Sequence, residues 1–205
     1  MSFLIKNGKC RVKISFYFFA LLCLAAFLDR GGVLLWGLLA ALLHEGGHMV
    51  AMRLTAEGLP KEIRLTPFGV RIENSPLAET GRGRLGVLAA GSGMNFLCAA
   101  VTFGILPSFA AVSLVLGILN LLPVEGMDGG GILLLLLERE KEKKRLSAKA
   151  ASRLYRIVTT GTLCLTALAG VAVLLATGGN GTLLGVAAAL AVRSAGRRRQ
   201  RRRMI

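Results

Sequence analysis

The chain has 205 residues, of which 54% are hydrophobic, and it carries a formal net charge of +15. This composition is too apolar for a soluble domain of that length, and insertion in a membrane reconciles it with the high positive charge. The basic residues separate long apolar stretches and do not gather on an aromatic-rich surface, so nucleic acid is excluded as an expected partner. The composition indicates the lipid bilayer as the partner.

Six apolar runs predict an all-α polytopic membrane protein with about six transmembrane helices. Most runs approach the roughly 20 residues that a spanning helix needs, although the first and the last are short. The first run follows a basic segment and has a signal peptide as its alternative, but the small-residue cleavage pattern after it is poor, so a retained helix is expected. The runs cover residues 14–28, 33–52, 85–106, 110–137, 157–176 and 182–192.

The basic residues predict the orientation of these helices. Six spans that start from a cytoplasmic N-terminus place 25 of the 26 Lys and Arg residues on the cytoplasmic side, and only Arg30 lies outside. The positive-inside rule therefore favours a multi-pass protein of the cell membrane with both termini in the cytoplasm. The Arg-rich tail, residues 193–205, is interpreted as an anchor on anionic lipid, with docking of a partner as the alternative.

One cytoplasmic loop carries a strand pattern. Residues 61–73 read KEIRLTPFGVRIE, in which apolar and polar residues alternate on both sides of Pro67-Phe68-Gly69. Alternation around a turn predicts a small β-hairpin at the membrane surface. Its free edges could pair with an extended peptide, and an ordinary connecting hairpin is the alternative.

The second run contains His44-Glu45-Gly46-Gly47-His48, which includes both histidines of the chain. Positions i and i+4 of a helix share a face, so both imidazoles can bind one zinc ion while Glu45 acts as general base on a water molecule. Chance is a poor explanation for three ionisable side chains in an apolar run, because one charge at the bilayer centre costs about 2.5 to 3.5 kcal/mol. The two glycines are expected to keep the surface beside the zinc low enough for an extended substrate.

A catalytic zinc site usually has three protein ligands. The aspartates of the chain are Asp29, at an outer helix end, and Asp128, within the fourth apolar run. At 1.5 Å per residue the histidines lie roughly 8 to 14 Å inside the cytoplasmic boundary and Asp128 roughly 15 Å inside it. Asp128 is therefore predicted as the third ligand of a single zinc ion. Pro123 and the glycines after it predict that the fourth span is broken there, beside a wet cavity.

The motifs HEGGH and NLLPVEGMDGG resemble those of the site-2 protease family of intramembrane metalloproteases, and the compact branch typified by a bacterial sporulation protease is the most similar. The resemblance implies that the zinc ligands are His44, His48 and Asp128 and that the general base is Glu45. It also implies a set of residues that shape the site or contact the substrate, namely Asn120, Pro123 and Asn95.

The same resemblance implies that residues 1–192 form an intramembrane endopeptidase domain. The sporulation branch often carries a CBS module and other branches carry PDZ domains, and neither is expected in this chain. Its substrate is expected to be a membrane-associated protein, such as a sigma-factor or anti-sigma precursor that is cut in regulated proteolysis during sporulation. A homo-oligomer and an inhibitory membrane partner stay open.

Several alternatives remain at this stage. An amide in a membrane helix often only bonds a neighbouring helix, so Asn95 and Asn120 each have a packing interpretation, and the role of Glu125 is undecided. A metal transporter and a non-proteolytic zinc-binding scaffold are the rival functions. The shared depth of the ligands and the absence of an internal repeat argue against transport, and the intact Glu45 argues against an inactive relative.

Overall fold

The computed structural model describes residues 2–7, 10–15, 29, 32–55, 62–66, 69–73, 81–177 and 184–192, and the structural statements concern these residues. The chain forms two compact units, Met1–Leu119 and Asn120–Ile205. The first unit contains a β-sheet and the helix with both histidines, and the second contains Asp128.

Helix α1 (Val33–Leu54) confirms the helix expected at 33–52 and extends it by two residues. The Asp29 carboxylate accepts hydrogen bonds from the backbone amides of Val33, at 3.2 Å, and Leu34, at 2.8 Å. At the other end the Thr55 hydroxyl donates to the Ala51 carbonyl at 2.9 Å. Asp29 therefore satisfies amides that the first turn of a helix leaves without partners, which explains an acidic residue at this end.

Helix α2 (Gly81–Thr102) packs against α1, and α3 (Pro107–Leu121) follows after a short turn. In that turn the Leu106 amide donates to the Thr102 carbonyl at 2.8 Å. Pro107 starts α3 without penalty, because the first amides of a helix have no partner inside it. The third span, expected at 85–106, is thus helical from four residues earlier and ends at Thr102.

The second unit contains α4 (Asp128–Glu142) and α5 (Ala148–Thr177), and residues 184–192 are also helical. The fourth apolar run, 110–137, is not one continuous helix: α3 ends at Leu121, residues 122–127 are not helical, and α4 begins at Asp128. The predicted break after Pro123 is confirmed. α5 includes the expected span 157–176 and begins nine residues before it, where the Ser147 hydroxyl accepts a hydrogen bond from the Ala150 amide at 3.2 Å.

The count of six spans is not supported. Among the described residues three helices are long and apolar enough to cross a membrane, and α3 is apolar but shorter. Large apolar side chains on the three long helices are exposed, including Leu42 at 68%, Leu97 at 58% and Leu165 at 68%. Exposed apolar faces of this kind are unfavourable in water and favourable in lipid, so these helices support a location in a membrane. They are Val33–Leu54, Gly83–Thr102 and Ala148–Thr177.

The described residues include a four-stranded sheet, of which the sequence predicted only the hairpin within residues 61–73. Its strands lie in the order β1, β2, β3, β4. The segment 61–73 forms β3 and β4, which pair antiparallel with Ile63 opposite Ile72. An N-terminal hairpin of β1 and β2 adds to it, because β2 pairs parallel with β3. The strands are Ser2–Asn7, Cys10–Ser15, Glu62–Thr66 and Gly69–Glu73.

This N-terminal hairpin corrects the start of the first predicted span. Ile14 and Ser15, its first two residues, belong to β2 and not to a helix. Residues 16–28 lie outside the described residues, as do 182–183 at the start of the sixth predicted span and the basic tail 193–205. The position of the sheet at a membrane surface stays a prediction.

Candidate metal centre

The two histidines of α1 lie one helical turn apart on its buried face. Only 5% of His44 and 6% of His48 is exposed, and their Nε2 atoms lie 3.1 Å apart. The ring planes are nearly perpendicular, with centroids 4.7 Å apart. Glu45, the next residue along α1, is half-buried. The helical i, i+4 spacing therefore brings the two ring nitrogens to one point, as expected.

Each ring is held through its other nitrogen by a residue of α2. His48 Nδ1 lies 2.7 Å from the backbone oxygen of Val87. A carbonyl oxygen only accepts hydrogen bonds, so His48 carries its proton on Nδ1 and presents a lone pair on Nε2. His44 Nδ1 lies 3.2 Å from Nδ2 of Asn95, which is completely buried. Asn95 therefore contacts a histidine of the predicted zinc site.

The histidine rings fit against α2 because residue 91 has no side chain. A Cβ atom at Gly91 would clash with His48 Nε2 and would lie 2.6 Å from His48 Cε1 and 2.8 Å from His44 Cε1. Carbon atoms in contact are normally about 3.5 to 4.0 Å apart. Gly91 is thus a structural requirement of the paired imidazoles.

The two glycines between the histidines have different surroundings, which corrects one expectation. A Cβ at Gly47 would lie 2.6 Å from the Ala90 oxygen and 2.9 Å from Met94 Cβ. Gly47 therefore allows α1 and α2 to approach, and does not face an open surface for the substrate. Gly46, in contrast, has no atom of the described residues within 4 Å of an added Cβ, which agrees with the expected low surface.

In the second unit, Asp128 is the first residue of α4 and is half-buried. Residues 122–127 fold back on this end of the helix, so that a Cβ at Gly129 would clash with the Leu121 oxygen and one at Gly130 with the Val124 oxygen. Gly126 has a φ of 99°, which a residue with a side chain adopts only with strain. These glycines let the chain turn tightly and start a helix at Asp128.

The other predicted site residues of the second unit lie around the same break. Asn120 is the penultimate residue of α3, and Pro123 follows two residues after its end; both are half-buried. Glu125 is buried, with 8% of its surface exposed. Their contribution to a site stays a prediction.

Comparisons with known proteins bear on the activity. Residues 105–165 match the model of Peptidase family M50. The fold is similar to that of the "Site-2 Protease from Methanocaldococcus jannaschii", with a TM-score of 0.66 and 21% sequence identity over 96% of this chain and 94% of that chain. Together they support a metalloendopeptidase. No curated protein matches the chain in sequence.

The family match and the histidine pair are separate observations. The matched segment includes the motif NLLPVEGMDGG. It does not include HEGGH, because His48 lies 57 residues before its first residue, position 105. The geometry of His44 and His48 therefore adds to the match and does not repeat it. The resemblance to the sporulation branch is not tested by either comparison and stays a prediction.

The residues of α1 fit a zinc ion. Zinc bonds imidazole nitrogen at about 2.0 to 2.1 Å, so one ion can bond two nitrogens that lie 3.1 Å apart. A ligating histidine usually donates a hydrogen bond from the N–H of its second ring nitrogen to a fixed acceptor, and the Val87 carbonyl is such an acceptor for His48. Neither Val87 nor Gly91 is predictable as a site residue from the sequence. Gly91 lies four residues before Asn95 on α2, but only the packing of the two helices reveals what it contacts.

Proposed function

We propose that the chain is a zinc-dependent intramembrane endopeptidase that cuts membrane-associated proteins. The observation that carries this proposal is the pair of buried imidazoles whose Nε2 atoms lie 3.1 Å apart, with His48 held by a backbone carbonyl on its other nitrogen. Buried ionisable side chains in apolar helices are costly and mark functional sites. The match to Peptidase family M50 supports the same class of enzyme.

Three side chains hold the metal in this proposal. His44 and His48 supply nitrogen ligands from α1, and Asp128 supplies a carboxylate oxygen from the start of α4. Three protein ligands leave one position open for chemistry, which is the usual composition of a catalytic zinc site, with one zinc ion per chain. Asn120 and Pro123 shape the site from the segment that precedes Asp128.

Glu45 performs the proton transfers. A zinc ion bound here would act as a Lewis acid, which polarises a peptide carbonyl and lowers the pKa of a water molecule. The Glu45 carboxylate takes a proton from that water and returns it to the leaving amine, which is general acid–base catalysis by one side chain. Gly46 leaves open space beside the histidines, since no described atom lies within 4 Å of a Cβ there. An extended substrate segment can approach at this position.

The substrate is a protein with a membrane-spanning or membrane-attached segment, because the site lies within an apolar helix. A transcription-factor precursor that is released by regulated proteolysis, as in sporulation, is the narrower proposal. We also propose a multi-pass protein with both termini in the cytoplasm, since that orientation keeps 25 of 26 basic residues inside.

The test replaces Glu45 by Gln, which keeps the size of the side chain and removes the base. We expect Glu45→Gln to retain one zinc per chain and to lose cleavage of single-span membrane substrates by about 10² to 10⁴. Fragments of co-expressed substrates are compared between wild type and variant by mass spectrometry, and zinc is measured in the purified proteins. Identical fragment patterns, together with zinc flux through vesicles that contain either protein, would replace the protease by a transporter.

A further inference from the structure

The start of helix α5 carries three basic side chains in a row on one face. They are Lys149, Arg153 and Arg156, at positions i, i+4 and i+7, which lie on the same side of a helix. All three residues are exposed. Their charged groups have no hydrogen bond or ion pair within the described part of the chain. We call this row the basic face of α5.

The second unit supplies little negative charge near this face. No acidic residue follows Glu142 in the sequence, so α5 and the chain after it contain no acidic side chain. In α4, which precedes α5, Glu140 already lies 3.2 Å from Lys143 and 3.7 Å from Arg145, two cations of the turn between the helices. The charge of the basic face is therefore available to an external anion.

The position of these cations is unfavourable for the helix alone. The first turn of α5 contains Lys149 and no acidic residue. The amino end of a helix carries a partial positive charge, which favours anions and disfavours cations there. An anion bound beside Lys149 would offset the charge of the side chain and that of the helix end together.

The same side of α5 continues into exposed apolar residues. Ile157 lies one turn after Arg153 and is 58% exposed, and Leu168 is 67% exposed. Residues 157–177 are 21 of the 30 residues of α5 and extend over about 31 Å, which is close to the thickness of the hydrocarbon core of a bilayer. Arg156 then lies at the edge of that core and Arg153 about 5 Å outside it, at the level of the lipid headgroups.

We propose that the basic face of α5 binds the phosphate of an anionic phospholipid, whose acyl chains lie along the exposed apolar residues that begin at Ile157. A phospholipid carries a phosphate next to acyl chains, and the helix carries cations next to apolar side chains in the same order. A soluble phosphate would use the cations alone. Since α5 packs against α4, the bound lipid fixes the depth of this helix pair in the bilayer. The site is additional to the proposed peptidase function and does not depend on it.

The experiment uses the full-length protein in nanodiscs of phosphatidylcholine. A small fraction of the lipid is phosphatidylglycerol with a photoreactive diazirine beside its headgroup, and a second preparation carries the same group on phosphatidylcholine. After illumination, mass spectrometry of peptides locates the label, which separates the start of α5 from the Arg-rich tail 193–205. Unlabelled phosphatidylglycerol, glycerol 3-phosphate and an oligoglutamate peptide are the competitors. Thermal unfolding in the same nanodiscs shows that each variant is folded.

Three double variants test the role of the side chains. Arg153→Gln with Arg156→Gln removes two charges of the basic face. Lys143→Gln with Arg145→Gln is the matched control, because it removes the same charge from the adjacent turn, where both side chains lie beside Glu140. Arg153→Lys with Arg156→Lys keeps the charge and changes the shape.

We expect the phosphatidylglycerol probe to label the start of α5 and the phosphatidylcholine probe to label it much less. A basic residue near a membrane surface contributes roughly a factor of five to the binding of anionic lipid, so the loss of Arg153 and Arg156 should weaken labelling at α5 by about 25-fold. The lysine variant should retain most of the labelling, and the control should retain all of it. Only unlabelled phosphatidylglycerol should compete.

Three results would overturn the proposal. Equal labelling by the two probes would mean that the face does not select a negative headgroup. An equal loss in the control variant would mean that the local charge acts diffusely and that no site exists at Arg153 and Arg156. Displacement of the probe by glycerol 3-phosphate or by oligoglutamate, at the concentration at which phosphatidylglycerol displaces it, would assign the face to a soluble anion or to an acidic protein segment.

Discussion

The structure predicts that Gly91 does not tolerate a side chain. In Gly91→Ala the new Cβ would lie 2.6 Å from His48 Cε1 and 2.8 Å from His44 Cε1. Contacts between carbon atoms need about 3.5 Å, so the rings must move by roughly 0.7 to 0.9 Å or the helices must separate. Separation would give up the close packing of α1 on α2 that Gly47 allows beside Ala90.

Movements of this size are larger than a metal site tolerates. Productive geometry requires ligands held within about 0.5 Å, so we expect Gly91→Ala to weaken zinc binding by about 10-fold or more. The overpacking should also lower the free energy of unfolding by about 1 to 3 kcal/mol. Both effects are measured on purified protein, the first by competition with a chelator and the second by thermal unfolding with and without zinc.

The matched control is Gly93→Ala, two residues further along α2. No atom of the described residues lies within 4 Å of a Cβ at Gly93, and alanine in a helix is more stable than glycine by about 0.5 to 1 kcal/mol. Gly93→Ala should therefore retain zinc affinity and unfold at the same or a higher temperature. The reasoning fails if Gly91→Ala behaves like this control in both measurements.

Three further predictions use the same assays or a topology reporter. Asp128→Ala should lose most of the zinc, and full occupancy in this variant would mean that another residue is the third ligand. Gly47→Ala should lower the unfolding temperature because its Cβ would lie 2.6 Å from the Ala90 oxygen, whereas Gly46→Ala should not, since no described atom lies within 4 Å there. Tags at both termini should report the cytoplasm and a reporter after Thr177 the outside; an external C-terminal tag would contradict the proposed orientation.

The helices of the site were predictable because their signals are local. α1 begins at Val33, as the apolar run predicted, and the i, i+4 spacing alone placed His44 and His48 on one face. The break before Asp128 was also predictable, since Pro123 cannot continue a helix in its interior and glycines follow it. In each case the physical cause lies within a few residues of the effect.

The N-terminal strands were missed although a local signal was present. In β2 the residues Arg11, Val12, Lys13 and Ile14 alternate between basic and apolar, which is the period of a strand. The same basic residues also satisfy the positive-inside rule, which favours an apolar helix that begins at Ile14. The partner of β2 is β3, which lies more than 40 residues later in the chain, and no pattern within β2 indicates that pairing.

The contacts that hold the imidazoles could not have been predicted, because they depend on the packing of α1 against α2. The Val87 carbonyl is a backbone group that every residue carries, so no residue type marks it as the acceptor for His48. Gly91 looks like any small residue of a membrane helix until the histidine rings are placed against it. Such details require the relative rotation of two helices, which apolar periodicity leaves undetermined when a helix is apolar all round.

The turn before Asp128 suits the metal ligand that we propose at this position. A carboxylate that binds metal inside an apolar protein must be negatively charged and held in place. As the first residue of α4, Asp128 lies at the positive end of the helix dipole, which stabilises a negative charge, and it belongs to a helix and not to a loop. This arrangement requires residues 122–127 to fold tightly against the helix end, and a side chain at Gly129 or Gly130 would clash with backbone oxygens there. Replacing either glycine by alanine should therefore disturb zinc binding without changing any ligand.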